Sequence, residues 1–261
     1  MIRLGALLII AAGTLALATA PTAAGQMTAV PASPGGPAVP AYVASPAGPG
    51  AHPGLLILHG CEGYNRRYAR IADGFAREGF VAVAIDTLSP RGVKNACSDP
   101  HGSRDEAAFA RVTLAWMRTR PAIEADRLAL VGYSMGAIAA LDLADAPHAA
   151  APPPGVRAVI AYYPACRNRQ AAAVNVPLLI LMGSADDWTP AGPCRALAAD
   201  AARLGKPVSI VVYPGATHAF NVARPNRVAY GHQLRYDAAA ASDAALRTLD
   251  DLHRYLGATV E

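Results

Sequence analysis

Short, mostly apolar runs alternate along this chain with longer stretches of helical spacing. The runs are Leu55-Leu56-Ile57-Leu58, Phe80 to Ile85, Leu128-Ala129-Leu130-Val131, Val156 to Tyr163, Pro177 to Met182 and Val208 to Tyr213. Each is four to eight residues long and reads as a strand, Pro177 to Met182 as a buried one. Between them Asn65 to Glu78 has helical spacing with Gly79 as its stop, and Arg104 to Thr119 is a helix ended by Pro121. Ala137 to Ala144 is alanine-rich and helix-like, a further helix starts near Pro190, and Asp237 to Tyr255 is a terminal helix stopped by Gly257. Ala41-Tyr42-Val43-Ala44 reads as an edge strand. Strands and helices that alternate from Leu55 onward predict an α/β fold, a mostly parallel sheet with helices on both faces. The ligand crevice of such a sheet lies at the C-terminal ends of its strands. No long insertion interrupts the pattern, so no large cap domain is expected, and the pocket should be open and rather small.

Composition narrows the class. At 261 residues, 53% hydrophobic and 16% charged, the chain suits one sizeable core and is too uniform for two domains. A formal charge of +4, spread without a Lys/Arg cluster, gives no case for nucleic acid as a partner. There is no internal repeat, no CxxC pair, no His/Asp cluster with metal-ligand spacing and no glycine-rich phosphate loop. Neither a metal nor a cofactor is expected.

The N-terminus sets the compartment. Arg3 precedes the uncharged apolar stretch Leu4 to Ala18, followed by small residues, which reads as a signal peptide over residues 1–25. Pro21 is a poor neighbour for a cut after Ala18-Thr19-Ala20, so cleavage after Ala24 or Gly25 fits better. The alternative is a retained anchor, but the apolar run falls short of the ~20 residues a span needs. The expected location is periplasmic or secreted, with no stable membrane span after signal removal. Residues 26–40 are rich in Ala, Pro and Gly and read as an extended lead-in to a domain at 41–261. In an oxidising compartment Cys61, Cys97, Cys166 and Cys194 suit two disulfides, with three possible connectivities. Cys61 and Cys97 follow neighbouring strands at one sheet edge, as do Cys166 and Cys194, which favours 61–97 and 166–194.

The most specific chemical signal is Gly132-Tyr133-Ser134-Met135-Gly136, between a strand and a helix. A serine at so sharp a turn needs glycine on either side, and the helix start behind it favours a developing anion. Gly/Ser pairs also mark ordinary turns, so partners decide. Asp186 follows the strand Pro177 to Met182, and His218 follows the strand Val208 to Tyr213. Taken singly, Asp186 could cap a helix and His218 could be a loop histidine. Serine, acid and histidine in this order, each after a strand, read as nucleophile, acid and base. Asp187 competes for the acid role, with spacing from Gly183 and to Pro190 favouring Asp186. The strand Leu55 to Leu58 runs into His59-Gly60-Cys61-Glu62-Gly63. The N–H groups of Cys61 and of Met135 are the candidate oxyanion donors, and His59 reads as a residue that shapes the loop.

With Asp86 and Ser89-Pro90-Arg91-Gly92, Gly183-x-x-Asp186 and Tyr213-Pro214-Gly215-x-x-His218-x-Phe220, these motifs resemble the dienelactone hydrolase family of α/β-hydrolases. The resemblance runs from about Val39 to Leu256. It implies an α/β-hydrolase fold, a nucleophile at Ser134, an acid at Asp186, a base at His218, and a small ester or lactone as substrate. Two departures stand out. The bacterial enzymes that name the family use a cysteine nucleophile paired with a glutamate, whereas this chain has Ser134 and places Gly60 where that glutamate would lie, with Glu62 two residues away. Arg91 lies near the family's substrate-carboxylate arginine, with a surface salt bridge as its alternative. Tyr133, Trp188 and Phe220 are candidate pocket residues, with plain core packing as theirs. A non-catalytic binding protein, a peptidase or an acyltransferase on the same scaffold remain the competing readings.

Overall fold

A computed structural model of the chain describes residues 25–31, 37–99, 101–144 and 152–257. Apart from Gly25, the signal-like segment lies outside the described residues. One sheet contains β1 (Gln26–Val30), β2 (Val39–Ala44), β3 (His52–Leu58), β4 (Val81–Ile85), β5 (Ile123–Tyr133), β6 (Val156–Tyr162), β7 (Leu178–Gly183) and β8 (Val208–Tyr213). The spatial order is β1-β2-β4-β3-β5-β6-β7-β8. β2 runs antiparallel to both β1 and β4, and every other neighbouring pair is parallel. Parallel strands covered on both faces need apolar residues at every position, which is why β3, β4 and β7 appear as unbroken runs.

Ala41 to Ala44 is not the edge. Gln26–Val30, part of the Ala/Pro/Gly-rich lead-in, pairs outside it, with Gln26 opposite Val43 and Val30 opposite Val39. The strand was hard to see because only Val30 is buried, while Met27 faces solvent.

Five α-helices cover the sheet among the described residues: α1 (Arg66–Arg77), α2 (Gly102–Met117), α3 (Met135–Ala144), α4 (Ala191–Arg203) and α5 (Ala238–Leu256). The Asn65 side chain caps α1 by accepting the Arg67 N–H, and Asp237 caps α5 by accepting the Ala240 N–H, both at 3.0 Å. Each cap contributes about 1 kcal/mol. α1 and α5 share a groove on one face, and α2 packs on α3 on the other. A short hairpin, β9 (Arg227–Ala229) and β10 (His232–Leu234), lies between β8 and α5, and no larger cap stands among the described residues. No helix among the described residues is long and apolar enough to cross a membrane.

Candidate active site

The loops after β3, β5, β7 and β8 converge at the C-terminal edge of the sheet. Ser134 follows β5 with φ 54°, in the left-handed region that a non-glycine residue adopts only under constraint. The constraint is steric. A Cβ on Gly132 would lie 2.3 Å from the Gly136 carbonyl oxygen, and one on Gly136 would lie 2.5 Å from that of Leu58. The Gly136 N–H donates to the His59 carbonyl at 2.9 Å, so the serine turn and the loop after β3 are one backbone unit.

His218 Nε2 lies 2.9 Å from Ser134 Oγ, and its Nδ1 lies 2.8 Å from Asp186 Oδ2. Asp186 is buried, and its Oδ1 accepts the N–H groups of Trp188 at 3.0 Å and Thr189 at 2.8 Å. The Thr189 hydroxyl donates to Oδ2 at 2.9 Å, so the carboxylate has no freedom to turn. The acid and histidine loops touch directly: a Cβ on Gly183 would meet the Ala216 carbonyl oxygen at 2.2 Å. Asp187 points elsewhere. It is exposed, accepts the Gln233 N–H at 3.3 Å and lies 3.4 Å from His232 Nδ1.

Met135 opens α3, where a helix leaves its first N–H groups without intrahelical partners. Neither the Met135 nor the Cys61 N–H donates to an acceptor among the described residues. Cys61 is bonded to Cys97, and Cys166 to Cys194. His59 holds the loop from below. Its Nδ1–H donates to the Gly60 carbonyl at 2.8 Å, while Nε2 accepts the Thr87 N–H at 3.1 Å. Burial lowers the His59 pKa and pushes the carboxyl of Glu106, 3.6 Å away on α2, well above its ordinary value. Both groups are thereby driven to their neutral forms, so the contact is not an ion pair.

The cleft encloses about 690 Å³, its open mouth included, and Tyr133, Ser134, Trp188 and His218 line it. Two of the candidate substrate residues do not line the cleft, and for each the alternative holds. Phe220 is fully buried, packed among the rings of Tyr162, Tyr163 and Tyr213. An aromatic two residues past the histidine can face either way, and here the core takes it. Arg91 is outside the cleft, paired with Asp105 at 2.6 Å and Asp99 at 3.4 Å. Sequence reasoning missed Arg67 and Tyr68, at the start of α1, Arg224 just before the hairpin, and the hairpin residues Arg227 and Leu234, all of which line the cleft. Glu62 faces this hairpin, 2.7 Å from Arg227 and 3.4 Å from Arg224.

A model of the family described as "Dienelactone hydrolase family" matches residues 39–256. The chain belongs to the dienelactone hydrolase family. The chain is 24% identical over 192 residues to a Bradyrhizobium sp. protein named "Probable 2-oxo-3-(5-oxofuran-2-ylidene)propanoate lactonase", covering 66% of this chain and 75% of that one. Its fold is similar to the crystal structure of a dienelactone hydrolase-like promiscuous phosphotriesterase from metagenomic libraries, with TM-score 0.72 and 18% identity over 90% of this chain and 100% of the other. An esterase from Thermogutta terrifontis gives TM-score 0.66 and 17% identity, covering 93% and 95%.

Proposed function

We propose that this member of the family hydrolyses a small carboxylic ester or lactone through an acyl-enzyme on Ser134. The observation that carries the reading is the chain of contacts from Ser134 Oγ through His218 to Asp186, at 2.9 and 2.8 Å. His218 Nε2 takes the proton of Ser134 as Oγ attacks the carbonyl carbon, and Asp186 holds the imidazole and stabilises its cationic form. The Cys61 and Met135 N–H groups receive the oxyanion. His218 then passes its proton to the leaving oxygen, and water, deprotonated by the same histidine, releases the acid. The lactonase and esterase names of the relatives support an ester-type bond over an amide.

Labelling with a fluorophosphonate, followed by turnover of p-nitrophenyl esters and simple lactones, tests the assignment. Ser134→Ala should lose both label and turnover. Equal labelling of parent and variant would remove Ser134 from the nucleophile role.

Two disulfides suit an oxidising environment. Together with the apolar N-terminal stretch they support export. Sequencing the mature N-terminus of the expressed protein checks this, with a start near Gln26 expected.

A further inference from the structure

The polar backbone groups flanking the Cys61 N–H are all engaged. The Gly60 N–H donates to the Tyr68 hydroxyl at 2.7 Å. The Gly60 carbonyl accepts the His59 Nδ1–H at 2.8 Å and the Gly63 N–H at 2.9 Å, and the Cys61 carbonyl accepts the Ala96 N–H at 2.9 Å. A trans peptide is planar, with its C=O and N–H on opposite sides. Holding the Gly60 carbonyl against buried His59 therefore turns the Cys61 N–H outward, toward the cleft that Cys61 lines. An oxyanion donor acts through such preorganisation, since a donor already in place needs no rearrangement as charge develops.

Two of the anchors on Cys61 come from one segment, residues 88–99, through the Ala96 N–H and the bond to Cys97. The segment has little else to hold it. Beyond a short 3-10 turn at Ser89–Arg91 it carries no regular structure. Its Leu88 and Ala96 join Cys61 and Met135 in a small apolar cluster apart from the main core, and few buried apolar contacts make a segment easy to displace. Met135, which bears the other candidate donor, leans on the same wall: a Cβ on Gly102 would lie 2.6 Å from Met135 Sδ and 3.3 Å from Ala96 Cβ. Both oxyanion residues thus rest on one loosely packed wall, and the Cys61–Cys97 bond ties that wall to the loop covalently.

The second bridge is placed differently. Cys166 follows β6 and Cys194 lies on α4, both within the main core, and neither lines the cleft. A bond there serves stability and ends on no oxyanion residue. Cys97, by contrast, is half-buried between exposed Asn95 and Ser98, within reach of a reductant.

We propose that the Cys61–Cys97 bond is a positioning element of the oxyanion hole, and that breaking it lowers turnover without unfolding the protein. Reduction by a dithiol carries two electrons and two protons to the bond, leaving two thiols and the reductant as its own disulfide. The Cys61 peptide is then held by hydrogen bonds alone, and full activity belongs to the oxidised form. This rests on the acyl-enzyme reading above.

The test uses a Cys166→Ala/Cys194→Ala variant, in which dithiothreitol acts on the Cys61–Cys97 bond alone. The substrate is p-nitrophenyl acetate, and the inhibitor is an alkyl trifluoromethyl ketone, which adds to Ser134 as a hemiketal oxyanion and so reads the oxyanion hole directly. Reduction should lower kcat about 10- to 100-fold while KM changes less than about threefold, and should weaken the ketone by about the same factor as kcat. Circular dichroism should stay native, and reoxidation should restore turnover. Cys97→Ala in the full chain should reproduce the reduced enzyme. Should the double variant fail to fold, the parent is titrated with dithiothreitol, and loss of turnover should follow alkylation of Cys97 and not of Cys194. A reduced, folded enzyme with kcat within about threefold of the oxidised one would overturn the proposal, as would a fall in kcat with unchanged ketone affinity, or one that follows unfolding or Cys194 alkylation. Each of these leaves Ser134-dependent hydrolysis by the oxidised enzyme in place. Absence of both turnover and fluorophosphonate label in the oxidised parent would overturn the hydrolase reading and the proposal with it.

Discussion

Asp186 and His218 sit on loops whose backbones touch, and Ser134 on a turn whose backbone touches the end of β3, whereas the rim facing them is fastened by side chains. On the catalytic side Gly132, Gly136 and Gly183 admit no Cβ, because carbonyl oxygens already stand 2.2 to 2.5 Å from where it would lie. On the rim, the hairpin of β9 and β10 is held by Glu62 with Arg224 and Arg227, by Asp187, and by the stacking of Trp188 on His232 at 4.7 Å. Those carboxylates are exposed. Exposed ion pairs contribute roughly 0–1 kcal/mol each, so the rim can rearrange around different substrates while the catalytic distances hold.

Exchanging the two adjacent aspartates is the strongest way to break this comparison. Asp186→Asn should cost about 10⁴-fold in kcat by upsetting the tautomer and charge stabilisation of His218. Asp187→Asn, on the rim, should cost about fivefold or less. The reverse ranking in steady-state turnover would move the acid one residue along. Gly183→Ala tests the backbone contact itself: forcing the acid and histidine loops apart should lower kcat about 100-fold, the usual result of a 1 Å misplacement. A kcat within a few-fold of the parent would show that the loops can separate freely.

Glu106 probes the support beneath the loop of Cys61 through stability rather than rate. Its folded pKa lies above its unfolded value near 4.5, so folding requires proton uptake once the pH exceeds that value. The fold is therefore least burdened below pH 4.5 and loses stability as pH rises toward the folded pKa, by about 1.4 kcal/mol per unit. Glu106→Gln should raise Tm at pH 8 and change it little at pH 4, and a Tm difference independent of pH would contradict this. The smallest effect belongs to Glu62→Gln, which should alter KM less than about fivefold with kcat nearly unchanged. A large fall in kcat there would make the rim part of the chemistry.

What could be read from the sequence follows the same division. The serine turn, the acid and the histidine are legible because steric necessity leaves a local trace: glycines at fixed offsets, each after an apolar strand. The rim leaves none. Residues 221–236 carry no period, and their role arises only where the hairpin folds back over Trp188. For Arg91 the spacing leaves substrate contact and salt bridge open, because its partners Asp99 and Asp105 lie in a loop and a first helical turn that spacing does not bring together. One signal was available for Arg67: basic side chains in a first helical turn oppose the helix dipole, and Arg66-Arg67 with no acid beside them is that mismatch. The edge strand at Gln26–Val30 was obscured by composition, since a strand with one buried residue has no alternation to detect.

The close approach of Gly183 to Ala216, and that of Gly136 to Leu58, divide the machinery into two mechanical bodies. One carries Asp186 and His218 on the ends of β7 and β8. The other carries Ser134 with the loop of Cys61 on the ends of β5 and β3. A displacement of either body moves its own members together, because packed backbone transmits strain without absorbing it. Between the bodies Ser134 Oγ and His218 Nε2 make one hydrogen bond, alongside β6, which pairs with both β5 and β7, and Trp188, which packs against the cluster of Cys61 and Met135. A shift of one body against the other lengthens that hydrogen bond, while the His218–Asp186 pair moves with one body and the Cys61 and Met135 N–H groups move with the other.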